Sequence, residues 1–371
     1  MSTGFERLIP DYIQALPVYI PGKPIEEVER ELKVHAIKLA SNENALGPSP
    51  MAVEAIYRAA GESNRYPDGG AHALRETLAR HWNVSPEQIF IGLGSSEIID
   101  LASRVLLREG LQGLTSEGSY APFSIAIRMN RGELKRVPLR NWAYDLEALA
   151  EAITPATRIV YIANPNNPTG TAVGAAELAK FLRCVREDIC VVLDEAYLHY
   201  AARSDMPRSE DLVREFKNLM VLRTFSKVYG LAGMRIGFAI ADEALVAAMN
   251  KLKTPFNVSG LAQAAAIAAL YDMAHVKRCV EDNARERARL VAGLREMGLN
   301  AVPSETNFVF VDFGFETAAL CEELLRRGVI LRPLAWMGMP KALRISVGTR
   351  EENEKCLHEM RVVLRSAQSK A

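Results

Sequence analysis

The sequence predicts an α/β fold, in which a large domain on a mainly parallel, doubly wound sheet is followed by a smaller α+β domain. Short runs rich in Val, Ile and Phe alternate with segments whose apolar residues recur at helical spacing, the pattern of βαβ units. Near Asn257 the alternation gives way to a long helical stretch. Polar residues also cluster at the ends of successive strand-like runs, where open α/β sheets hold their ligands.

In chain order, residues 1–33 read as an N-terminal arm, with Pro and aromatic residues in "LPVYIPGKPIEEV" ahead of a first helix. Residues 34–256 read as the large domain, with strands at "QIFIG" (88–92), "RIVYIA" (158–163), "CVVLDEA" (190–196), "LMVLRTF" (219–225) and "RIGFAI" (235–240). "GAAELAKFLRCVRED" and "DLVREFKN" supply helices between them. Residues 257–371 read as the small domain: a helical region at 259–298, "NFVFVDF", a helix at 316–327, "VILRPL" and "ALRISVG".

Forty-five basic side chains balance forty-five acidic ones, so no global field directs the chain to nucleic acid or an anionic membrane. The five cysteines form no C-x-x-C pair, which points to reduced thiols in a cytoplasm and to no metal site. The first twenty residues lack a basic n-region, and no apolar run reaches membrane-spanning length.

Three strands in succession end in chemistry-bearing residues. "NPNNPTG" (164–170) brings Asn167, "DEAY" (194–197) brings Asp194 and Tyr197, and "TFSK" (224–227) brings Thr224, Ser226 and Lys227. Taken singly, each has a plain structural explanation: a turn, a helix cap, a core-edge tyrosine, a surface lysine. Together they give one sheet edge a lysine, a carboxylate and hydrogen-bond donors.

A lysine among apolar neighbours and near Arg235 loses part of its preference for the charged form, and its amine becomes a nucleophile toward a carbonyl. Pyridoxal 5'-phosphate is a carbonyl cofactor that fits the other residues too. Asp194 would face the pyridine nitrogen, and Asn167 and Tyr197 the phenolic oxygen. The phosphate would sit on "GLGSSE", with Ser95 and Ser96 opening a helix, completed by Thr224, Ser226 and Arg235. The same G-x-G lacks the third glycine of a dinucleotide fingerprint, which leaves a nicotinamide-dependent oxidoreductase as the runner-up and a non-catalytic holder of the cofactor behind it.

"SNENALGPSP" (41–50), "NPNNPTG", "DEAY", "RTFSKVYGLAGMRIG" (223–237) and "LRISVGT" (343–349) together resemble the fold type I, class II pyridoxal phosphate-dependent aminotransferases, over nearly the whole chain. The resemblance implies that Lys227 is the Schiff-base lysine and proton carrier, Asp194 the pyridinium partner, and Asn167 and Tyr197 the phenolic-oxygen ligands. It further implies that Tyr120 stacks on the cofactor and that Tyr66 reaches the phosphate of a neighbouring subunit, which makes the enzyme a homodimer with shared sites. Arg344, Arg332, Tyr19 and Asn42 are the implied substrate ligands.

Within that family the resemblance is greatest to the branch acting on histidinol phosphate, with 2-oxoglutarate as the amino acceptor. Three positions depart from the family pattern: Ser96 replaces an aspartate, Phe123 takes the place of a second tyrosine, and "NENA" replaces "NENP". Relatives that act on aromatic amino acids or decarboxylate threonine phosphate therefore stay as alternatives.

Overall fold

The computed structural model of the chain describes residues 4–16 and 22–368. The expected α/β class is borne out. In chain order, β1 is Ile37–Lys38, β2 Ile89–Gly92, β3 Gln112–Ser116, β4 Glu133–Val137, β5 Thr157–Ala163, β6 Cys190–Asp194, β7 Leu219–Thr224 and β8 Gly237–Ile240. The second half adds β9 Asn300–Ala301, β10 Phe308–Asp312, β11 Val329–Ile330, β12 Arg332–Pro333 and β13 Ala342–Ser346.

Seven strands form the main sheet in the order β2-β8-β7-β6-β5-β3-β4. The five from β7 to β4 are parallel, whereas β8 runs antiparallel to both β7 and β2. Central strands buried on both faces read as unbroken apolar runs, and "CVVL" and "LMVL" are buried almost throughout. Because β5, β6 and β7 are parallel neighbours, Asp194 at the end of β6 and the loops carrying Asn167 and Lys227 meet at one edge of the sheet.

β3 and β4 are strands that the sequence reading did not anticipate. Gly113 interrupts the apolar run of β3 because Ile127, on the helix Ala121–Met129, fills its place: a Cβ there would lie 2.6 Å from Ile127 Cγ1. β4, "ELKRV", is the polar edge strand of the sheet.

A second, antiparallel sheet has the order β12-β13-β10-β9, and β1 pairs separately with β11. The helix Met273–Glu296, capped by Asp272 accepting from the His275 amide, spans both cores: Val276 and Cys279 join that of the main sheet, and Leu290 and Leu294 that of the second. The helix Gly260–Tyr271, which the sequence boundary at 256/257 assigns to the small domain, packs Ala262, Ala265, Ala266 and Ala269 into the main-sheet core. Its alanines permit close approach to the helix Pro50–Ala60. Among the described residues, no helix is long and apolar enough to cross a membrane, and no group of His, Cys, Asp and Glu side chains is placed to hold a metal ion.

Candidate active site

One cavity of about 270 Å³ opens where the carboxyl ends of β5, β6 and β7 meet the second sheet. Lys227, Asp194, Tyr197, Asn167, Tyr120, Ser95, Ser96, Thr224, Ser226, Arg235, Asn42, Arg332 and Arg344 all line it. Tyr66 does not: it is exposed and stacks on Phe256 at 4.7 Å, on a surface outside the cavity. Tyr19 lies outside the described residues.

Lys227 follows β7 and its Nζ donates to the carbonyl of Asn42 at 3.3 Å, with the Tyr197 ring centroid 5.4 Å away. Burial pushes its pKa down to about 8, and the nearby Arg344 adds to this more than Arg235, while Glu43 and Asp194 oppose it. Asp194 ends β6 and accepts the Ala196 amide at 3.0 Å. Burial pushes its carboxyl up to about 6.

The loop after β5 is fixed by its own side chains. Asn164 donates to the carbonyl of Val173 at 3.1 Å and accepts its amide at 2.9 Å, and the Asn164 amide donates to the Asp194 carbonyl at 2.9 Å. Asn167 thereby faces the cavity, and its Oδ1 accepts from Arg344 Nη1 at 2.7 Å.

The helix Gly94–Leu106 opens beside this group with no cap hydrogen bond from its N-cap side chain, and Ser95 and Ser96 of its first turn line the cavity; a helix start of this kind suits an anion. Gly94 has φ +72°, and a Cβ there would meet Arg235 Nη2 at 2.7 Å; glycine lets the guanidinium lie against the helix start. Opposite, the Ser226 amide donates to Thr224 Oγ1 at 3.1 Å and that hydroxyl donates to Ser226 Oγ at 3.0 Å. Ser96 Oγ lies 3.4 Å from the Tyr120 hydroxyl, so a hydroxyl occupies the expected carboxylate position. Phe123 is buried, stacked on Tyr161 at 4.7 Å and edge-on to Tyr120 at 5.4 Å, and so supports Tyr120 from the core.

Arg332 and Arg344 are cross-strand partners on β12 and β13, and both reach the cavity. Sequence reasoning missed Ser346 and Asn307, which hold Asn42 in place, and the buried ion pair of Arg223 with Glu195 at 2.9 Å. The period of a strand was the available signal for Ser346, two residues beyond Arg344.

The chain belongs to the aminotransferase class I and II family, which matches residues 34–360. It is thus a transaminase by family, and the oxidoreductase reading falls away. A histidinol-phosphate aminotransferase 2 of Pseudomonas fluorescens is 44% identical over 99% of this chain and all of its own length. A histidinol-phosphate aminotransferase of Anaeromyxobacter sp. is 46% identical over 94% of this chain and 97% of its own. Among solved structures, the histidinol-phosphate aminotransferase of Sinorhizobium meliloti in complex with pyridoxal-5'-phosphate superposes with a TM-score of 0.89 at 33% identity, over 97% of this chain and 98% of that one.

Proposed function

We propose that this aminotransferase uses pyridoxal 5'-phosphate to exchange an amino group between L-histidinol phosphate and 2-oxoglutarate, giving imidazole-acetol phosphate and L-glutamate. The cavity fits the cofactor: the uncapped helix start, Thr224, Ser226 and Arg235 would hold its phosphate, Asp194 its ring nitrogen, Asn167 and Tyr197 its phenolic oxygen, and Lys227 its carbonyl carbon. Bound there, the cofactor supplies a carbonyl that takes up an amine and a ring that accepts electrons.

The protein's own groups do the rest. With its pKa near 8, the Lys227 amine is neutral in a useful fraction at neutral pH and can take the proton from the substrate Cα and return it elsewhere. A buried carboxylate at Asp194 favours a cationic partner, which keeps a proton on a ring nitrogen opposite it.

One observation carries the substrate class: Arg332 and Arg344 face each other across β12 and β13 in the same cavity as Lys227. Like charges directly opposed repel, and a doubly charged anion between them offsets that cost. A phosphate monoester and a dicarboxylate both meet the requirement, whereas an aromatic amino acid brings only one carboxylate. The names of the relatives support the same choice.

The test is an absorption spectrum of the protein loaded with pyridoxal phosphate, before and after L-histidinol phosphate and then 2-oxoglutarate. A visible band that is lost and then returns is expected. A band that responds to phenylalanine and not to histidinol phosphate would move the protein to the aromatic branch. We also infer a cytoplasmic homodimer: its cysteines are unpaired, and Met51, Tyr57, Tyr66, Phe256, Tyr271 and Met273 are exposed. Sedimentation at the mass of one chain would overturn the dimer.

A further inference from the structure

We infer that Ser346 is a positioning residue for Tyr197, acting through Asn42 to aim the tyrosine hydroxyl proton at an anionic oxygen of the bound cofactor. The inference rests on the reading of pyridoxal phosphate as that cofactor.

The Ser346 hydroxyl has one proton. Its oxygen accepts the Asn42 amide at 2.8 Å, and its proton goes to Asn42 Oδ1 at 3.0 Å. The first bond, from the Asn42 backbone N–H, fixes the hydroxyl, and the second orients the carboxamide of Asn42, because only its oxygen side can accept from Ser346. Nδ2 must then face the other way, and it donates to the Tyr197 hydroxyl at 3.0 Å. The tyrosine oxygen is an acceptor in that contact, so its own proton points away from Asn42.

Every part of the relay is held. Asn42 is 1% exposed and has φ +55°, a left-handed conformation that asparagine tolerates. Its carbonyl accepts from Lys227 Nζ at 3.3 Å and from Asn307 Nδ2 at 3.1 Å. The Tyr197 ring is buried edge-on to Phe308 at 5.1 Å. Asn42, expected as a substrate ligand, thus spends its amide on Tyr197 and Ser346.

The relay also links two tasks. Ser346 and Arg344 lie on one face of β13, two residues apart. Arg344 fixes the carboxamide of Asn167 by donating to its oxygen, and Ser346 fixes Tyr197 through Asn42. Both expected donors to the phenolic oxygen are therefore set by one strand of the second sheet. Without the Ser346 hydroxyl, the Asn42 carboxamide can turn and accept the tyrosine proton itself.

The test is a pH titration of the visible band of the full chain loaded with pyridoxal phosphate. A donor on the phenolic oxygen favours the form in which that oxygen carries an unshared charge, so losing it moves the titration upward. Ser346→Ala should raise the midpoint by roughly one pH unit. Ser346→Thr should restore it, and Ser346→Ala should add nothing in a Tyr197→Phe background. An unshifted midpoint with the band intact overturns the relay, as does a shift that adds to that of Tyr197→Phe. Loss of the band in Ser346→Ala when Tyr197→Phe keeps it also overturns it, by assigning Ser346 a different role. Absence of a band in the unaltered chain overturns the cofactor reading itself, and the relay with it.

Discussion

Arg344 and Asn167 are joined by a 2.7 Å hydrogen bond from Nη1 to Oδ1, which ties the second sheet to the loop after β5. Nη2 of the same guanidinium donates to the Ala40 carbonyl at 2.7 Å. The two bonds set the plane of the fork, and a lysine ammonium cannot reproduce that plane. Arg344→Lys should raise KM for L-glutamate and L-histidinol phosphate by about 10- to 100-fold while the visible band of the bound cofactor persists. Steady-state kinetics of each half-reaction checks this, and unchanged KM values would remove Arg344 from anion recognition.

Lys227→Met should have opposite effects on turnover and on the stability of the cofactor-free chain. Turnover should fall by at least about 10³-fold, since both the nucleophile and the proton carrier are gone. Stability should rise. The lysine pKa falls from 10.5 to about 8 on folding, so below pH 8 the full cost of burying an ammonium is present. Between pH 8 and 10.5 the unfolded chain binds more protons, and the native lysine protein gains stability as pH rises. The advantage of methionine, on the order of 3 kcal/mol at pH 7, should therefore shrink across that window in urea titrations of the cofactor-free chain. An advantage that does not vary with pH would mean that packing, not charge, causes it.

Asp194→Asn repeats that contrast with the sign of charge reversed. A carboxyl raised from 3.8 to about 6 costs stability above pH 6, and the cost fades as pH falls toward 3.8. The cofactor-free Asn variant should melt at a higher temperature than the parent at pH 7, and the gap should narrow toward pH 4. With the cofactor the order should reverse, because a cationic ring nitrogen loses its partner; affinity should drop about 10- to 100-fold. A variant that binds pyridoxal phosphate as tightly as the parent would remove Asp194 from the ring nitrogen.

The sequence made the cavity readable for a reason of topology. Parallel neighbouring strands deliver their following loops to one edge, so "NPNNPTG", "DEAY" and "TFSK" meet without any knowledge of long-range contacts. The same logic fails for β8, whose apolar "GFAI" is alike in either direction and turns out antiparallel to both neighbours. It fails also for β3, where Gly113 leaves room for Ile127. Ser346 and Asn42 are 304 residues apart, and only the docking of β13 against the loop after β1 brings them together. Alanine spacing in the helix Gly260–Tyr271 signals burial but not against which sheet.

The ion pair behind the cavity illustrates a role of another kind. Glu195 and Arg223 each sit next to a cavity residue, Asp194 and Thr224, and their side chains are 0% and 8% exposed at a separation of 2.9 Å. The Arg223 guanidinium also lies 4.9 Å from the Trp82 ring centroid, so its charge is held from both sides. Burial raises the Glu195 carboxyl pKa, and Arg223 opposes that rise. Removing one partner leaves the other charged and desolvated, so Glu195→Ala should cost about 3–5 kcal/mol. Replacing both by apolar residues of similar volume, Glu195→Leu with Arg223→Met, should recover most of that loss, because no charge is then stranded. Urea denaturation of Glu195→Leu alone, Arg223→Met alone and the two together measures the coupling. Additive losses would mean that the pair contributes packing rather than charge compensation. Coupling of the expected sign would leave a further consequence: Glu195 raises the Asp194 pKa and Arg223 lowers it, so the apolar double variant should shift Asp194 little.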